Sequence, residues 1–197
     1  MRLQKRGQTL CPRSVPSFCT HASLKFMPVR IFLFLVAALS LSAQGLSNRR
    51  APSFSLPDST LRQHDILDYR GTWLLVDFTE TTPAKCKELS VKLEAVKKKY
   101  GVKVNILSIV LAPPETQASV AKLVAETKMT TPVLFDSSQV AIAYFKATPQ
   151  NPQFDSPHLF AINPNGMIVK DWTQPSTTGP GFLAEIDQLI TGSPAKK

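Results

Sequence analysis

Trp73-Leu74-Leu75-Val76-Asp77-Phe78, followed by Thr79-Glu80-Thr81-Thr82 and then Pro83-Ala84-Lys85-Cys86, is the stretch whose reading decides the fold. The first six residues are a short apolar and aromatic run, the signature of a buried central strand. From Cys86 onward the apolar residues switch to helical spacing, at Cys86, Leu89, Leu93, Val96 and Tyr100. Strand, short loop and helix therefore follow in order. Thr82 is expected to be the N-cap and Pro83 the first helical residue, where a missing N–H costs nothing. That places Cys86 in the first turn.

A thiol there faces unpaired helix N–H groups and the positive end of the helix dipole, which favour a thiolate. Lys85 and Lys87 act in the same direction; Glu80, Glu88 and burial on the apolar face act against it. Free cysteine also behaves as a small hydrophobe, so spacing alone leaves core packing and reactive thiol equally open. Asp77, an acid inside an apolar strand, is expected at a sheet edge or in a hydrogen bond.

Working outward, strand and helix signals alternate as a layered α/β domain requires. Val102 to Val110 reads as a second core strand and Glu115 to Lys128 as a helix. Val133 to Asp136 is a brief strand and Val140 to Phe145 a short helix. His158 to Ile162 and Met167 to Trp172 read as a hairpin, and Phe182 to Ile190 as the last helix. Residues 46–192 are expected to form one domain, preceded by a loose polar linker from Gln44 to Arg50 and followed by a tail, 193–197.

The front of the chain has a different character. Met27-Pro28-Val29-Arg30, the apolar run Ile31 to Leu41 and the small-residue stretch Ser42-Ala43-Gln44-Gly45 have the three parts of a secretory signal peptide over 27–45. Residues 1–26 are polar and contain no acid, and read as an upstream extension ahead of a true start at Met27. Six of the 23 basic residues lie in residues 1–45 with no acidic ones, leaving 17 basic against 14 acidic, net +3. The basicity belongs mainly to the leader. No remaining basic stripe with interleaved aromatics supports a nucleic-acid partner, and the apolar run is too short to span a bilayer.

Cys11 and Cys19 also precede the expected cleavage site, which leaves Cys86 alone and excludes an internal disulfide after processing. An unpaired cysteine in an oxidising compartment either stays buried or reacts with another molecule. His64 and His158 are the remaining histidines and form no ligand-spaced cluster with a cysteine, so no metal and no cofactor are expected.

From roughly Ala51 to Ile190 the sequence resembles the thioredoxin-like superfamily, specifically exported thiol-disulfide oxidoreductases of the TlpA type and their redoxin (AhpC/TSA-like) relatives. Thioredoxins read D-F-W-A-x-W-C-x-x-C where this chain has Asp77, Phe78, Thr79, Glu80, Thr81, Thr82, Pro83, Ala84, Lys85 and Cys86. The second cysteine is present; Pro83 replaces the first, and threonines replace both tryptophans. Ala51-Pro52-Ser53-Phe54-Ser55-Leu56-Pro57-Asp58 is similar to the A-P-x-F-x-L-x-D opening of redoxin domains, and Pro157 to Gly166 to their P-x-x-F-x-I-D-x-x-G. The resemblance implies an α/β thioredoxin-like fold, a central mixed β-sheet flanked by helices on both faces. It implies that Pro157 is a cis-proline facing the thiol and that Asp77 is the acid beneath the active site, active in proton transfer.

The resulting expectation is an exported redoxin, periplasmic in a Gram-negative bacterium and otherwise secreted, acting as a thiol-dependent oxidoreductase or antioxidant through Cys86. Asp77 would assist, with Thr82, Pro83, Lys85 and Pro157 as active-site neighbours. Its partner would be a thiol or disulfide of a small molecule or of another exported protein. Two alternatives stand beside it: a redox-inactive binding module, and a one-cysteine peroxiredoxin, whose P-x-x-x-T-x-x-C motif this chain matches only out of register.

Overall fold

A computed structural model describes residues 45–192 apart from residue 153. The upstream extension, the signal peptide up to residue 44 and the tail lie outside the described residues. In chain order the elements are β1 (Arg49–Arg50), β2 (Ser55–Pro57), β3 (Gln63–Asp65), a 3-10 turn (Ile66–Tyr69), β4 (Trp73–Phe78), α1 (Ala84–Tyr100), β5 (Val104–Leu111), α2 (Gln117–Thr127), β6 (Val133–Asp136), α3 (Gln139–Phe145), β7 (His158–Ile162), β8 (Met167–Trp172), α4 (Gln174–Thr177) and α5 (Phe182–Gly192).

Six strands form one mixed sheet in the order β1-β8-β7-β4-β5-β6, with β2 and β3 as a separate hairpin. β4 pairs parallel to β5 and antiparallel to β7, so it occupies the middle of the sheet. All six of its residues are buried, which is why it reads as a continuous apolar run rather than an alternating one. Trp73 and Leu75 turn to a layer containing Leu89, Leu93 and Val96 of α1 and Phe182 and Ile186 of α5. Leu74, Val76 and Phe78 turn to the opposite layer with Phe54, Ile66, Tyr144 and Phe160. A smaller cluster packs Val120 and Leu123 of α2 on Val110 and Val133. The sheet is mixed and has helices on both faces.

Several boundaries differ from the sequence reading. The segment expected to be a loose linker is tied down: Arg49 and Arg50 pair with Ile168 and Met167 at the sheet edge. The Arg49 guanidinium donates to the Leu46 carbonyl at 2.8 Å and to the carbonyl of Tyr144, and the Ser47 hydroxyl donates to Asp171. Backbone pairing takes little account of side-chain polarity at an edge, so arginines serve as well as valines there. β5 begins at Val104 because a 3-10 turn occupies Gly101–Lys103. α2 begins at Gln117, where Thr116 and Ser119 form a reciprocal capping box, and ends on Lys128 in the left-handed conformation. Lys97 donates to the carbonyls of Gly101 and Val104 at 3.0 and 2.8 Å, closing the C-terminal end of α1.

Glu94 carries an anchor that spacing did not suggest. It is buried on α1 and accepts from the backbone N–H groups of Thr130 and Thr131 at 2.6 and 3.0 Å. The loop entering β6 is thereby hung from α1.

Candidate functional site

The loop after β4 and the start of α1 converge with the segment preceding β7. Pro83, not Thr82, is the N-cap of α1: its ψ of 136° keeps it extended, and the helix begins at Ala84. No side chain caps this end, and Thr82 is exposed. The Cys86 N–H already bonds the Pro83 carbonyl at 3.1 Å. The thiol thus sits in the first turn, as the spacing predicted, with the cap one residue later than expected.

Cys86 is completely buried (0% exposed). Its Sγ lies 3.6 Å from the Ser156 hydroxyl, a sulfur-oxygen hydrogen bond. The Ser156–Pro157 peptide is cis, and Pro157 is buried at the entrance to β7. Sequence reasoning placed Pro157 here and missed Ser156, although the two are adjacent. Ser156 also lines a cavity of about 360 Å³ with Asp155, Thr173, Gln174 and Pro175. Ser156 is therefore shared between the thiol and the solvent-facing hollow beside it.

The flanking charges are arranged otherwise than sequence proximity suggests. Lys87 is engaged by Glu126 at 2.6 Å and Glu88 by Lys92 at 2.8 Å, whereas Lys85 and Glu80 are exposed. The loop between strand and helix is braced from another element: the Thr81 N–H and hydroxyl donate to Glu115 at 2.8 and 2.7 Å, and Ser119 donates to the same carboxylate at 2.6 Å. Burial raises the pKa of Glu115, but the Ser119 and Thr81 bonds outweigh it and hold the carboxyl below its usual range. Glu115 had no local signal, because its partner lies 34 residues away in sequence.

Asp77 contradicts the expectation of an edge or a hydrogen bond. It lies on the central strand at 0% exposure, and neither carboxylate oxygen has a hydrogen-bond partner. Register places Asp77 beside Ser108 of β5, whose buried hydroxyl is also unpartnered, as is that of Thr79. Side chains of β4 alternate, so Asp77 shares with Leu75 the face covered by α1. Burial with no compensating bond pushes its pKa up to about 8. At neutral pH it holds its proton.

The histidines go elsewhere. His158, buried on β7, contacts Asp171 through Nε2 at 3.1 Å, while its Nδ1 is unpartnered. His64 lies between Asp58 and Tyr69. Among the described residues no group of three or more His, Cys, Asp or Glu side chains is placed to hold a metal ion. No helix among them is long and apolar enough to cross a membrane.

This architecture, a mixed sheet with a first-turn cysteine bonded to the serine of a cis Ser-Pro peptide, defines a thioredoxin-like fold, and solved structures agree. The chain is similar to the thioredoxin domain of a thiol-disulfide oxidoreductase from Bacteroides vulgatus, at TM-score 0.60 and 15% identity over 73% of this chain and 97% of that one. A thiol:disulfide interchange protein of the thioredoxin family from Chlorobium tepidum gives 0.60 and 18% over 73% and 94%. A secreted disulfide oxidoreductase of Mycobacterium tuberculosis gives 0.56 and 13% over 71% and 96%. No curated protein matches the sequence. Residues 48–171 match the AhpC/TSA family, and the chain belongs to that family.

Proposed function

We propose that the protein is an exported redoxin that has no dithiol cycle and forms mixed disulfides through Cys86 alone. The observation that carries this reading is the pairing of Cys86 Sγ with Ser156 Oγ at 3.6 Å, beside a cavity that Ser156 also lines. Local opening of the first turn of α1 and of the Ser156 segment would bring a partner's sulfur to the buried thiol. Export rests on the signal-peptide pattern of residues 27–45.

In the reaction, the Cys86 thiolate attacks one sulfur of a partner disulfide. A Cys86–partner disulfide forms, the partner's own S–S bond breaks, and the other half leaves as a thiolate. The Cys86 proton goes to solvent as the thiolate forms, and Asp77, which holds its own proton at neutral pH, is the candidate to donate one to the departing thiolate. Release requires a second thiol, and Pro83 stands where an internal one would be, so that thiol must come from outside, from a small molecule or another exported protein. The restriction is chemical: proline has no sulfur.

Incubating the protein with hydroxyethyl disulfide and weighing the product tests this. The expected result is one adduct on Cys86 that persists until an external thiol is added. In a side-by-side insulin-reduction assay the protein should lack the turnover of a two-cysteine thioredoxin, and Pro83→Cys should introduce activity. Dithiol-like turnover by the unaltered protein would contradict the reading.

A second reading has its own observation. The thiol has no exposed surface at all, as expected if Cys86 only packs and the fold serves as a binding module. Absence of any adduct on the folded protein would favour it.

A further inference from the structure

We infer that the end of the sheet opposite Cys86 carries a binding site for a small organic acid with an apolar body. The topology separates the two sites. Cys86 follows the C-terminal end of β4, whereas a cavity of about 530 Å³ lies at the other end, lined by Thr72 and Leu74 at the start of β4 and by Ile162 and Asn163 at the end of β7. The inference is therefore independent of the function proposed for the thiol.

The lining has two chemically distinct parts. Ile66, Leu74 and Ile162 are buried core residues that reach the cavity and supply an apolar wall. Arg50, at the end of β1, and Arg70, just after the 3-10 turn, stand at its margin. No Asp or Glu lines the cavity. Neither guanidinium has a side-chain hydrogen bond or ion pair among the described residues, whereas the adjacent Arg49 is fully engaged with the carbonyls of Leu46 and Tyr144. Two unpaired forks beside an apolar hollow match a carboxylate or phosphate carried on a short hydrocarbon. The volume falls in the range of small-molecule sites, roughly 300–1,000 Å³.

One wall is preformed. Tyr69 lines the cavity, and its hydroxyl lies 2.6 Å from Nδ1 of His64, whose Nε2 lies 2.9 Å from Asp58. His64 thus ties the Tyr69 hydroxyl to the Asp58 carboxylate. Among the described residues the two arginines are the only charged side chains lining the cavity, which is why the head group is expected to be anionic and not a neutral alcohol.

Titration calorimetry with octanoate, octyl phosphate, octanol and inorganic phosphate tests this, read together with amide NMR shifts. Binding of either amphiphilic anion is expected, with shifts at Ala51, Thr72, Ile162 and Gly166, and with octanol and inorganic phosphate at least roughly tenfold weaker. Arg50→Ala with Arg70→Ala should weaken the anion by roughly tenfold or more. Ser53→Trp, an exposed rim position, should block the cavity at unchanged charge. Octanol binding as tightly as octanoate, inorganic phosphate matching the amphiphiles, or no binding at all by a protein shown to be folded would each overturn the inference.

Discussion

Replacing Asp77 with Asn should stabilise the protein by about 3–5 kcal/mol at pH 8 and leave it almost unchanged near pH 4. The folded pKa is about 8, against roughly 3.9 in an unfolded chain. Between those values the folded state holds a proton that the unfolded state has released. Unfolding free energy therefore falls with rising pH, by about 1.4 kcal/mol per unit, until the folded group also ionises. Asparagine carries no charge at any pH in this window and escapes the penalty. Denaturant titrations at pH 4.5 and pH 8 measure both differences; a gain independent of pH, or a loss at pH 8, would contradict the burial argument. A protein retaining so costly a group on its central strand implies a use for it, and the proximity of Asp77 to the α1 face makes proton handling for Cys86 the use we propose.

The opposite sign is expected at Glu94. Truncation to alanine leaves the buried N–H of Thr131 and that of Thr130 without an acceptor. Hydrogen bonds to a charged group contribute roughly 1.5–3 kcal/mol each, but Thr130 is exposed and its N–H can turn to water, and the helix gains a few tenths from alanine, so a loss of about 2–4 kcal/mol is expected. Glu94→Gln keeps an acceptor oxygen and should lose about half as much. Equilibrium unfolding of the two variants checks this. Exchange of the Thr131 amide should quicken in the alanine variant first, since that loop loses its tether. A change under about 0.5 kcal/mol for Glu94→Ala would show that the contact contributes nothing.

These two acids show where the sequence is legible. β4 and α1 are readable because each residue's burial follows from its own element's period: six buried residues in a row for the strand, and Cys86, Leu89, Leu93 and Val96 on one helix stripe. The hairpin strands β7 and β8 were equally readable. The environment of Asp77 was not, because it depends on Ser108 and α1 arriving from elsewhere without offering a hydrogen bond. Glu94, Glu115 and Ser156 act on partners 36, 34 and 70 residues away, and no local pattern carries that information. The hairpin of β2 and β3 escaped for a different reason: its strands have three residues each, and one ends at a proline, too short for a period to emerge. The misplaced α1 cap is a choice between two adjacent residues, both acceptable at a helix start, and the extended ψ of Pro83 decides it.

To form mixed disulfides from 0% exposure, Cys86 must reach its partners by local opening at the first turn of α1 and the Ser156 segment. Local openings expose little surface, so their rate depends weakly on denaturant, unlike global unfolding. The direct measurement is the rate of Cys86 reaction with a small disulfide reagent across low urea concentrations, set against the global unfolding rate of the same protein. The account predicts reaction faster than unfolding and nearly independent of urea. A thiol that reacts only at the global unfolding rate, with the full urea dependence of that step, would contradict it and leave Cys86 as a packed core residue.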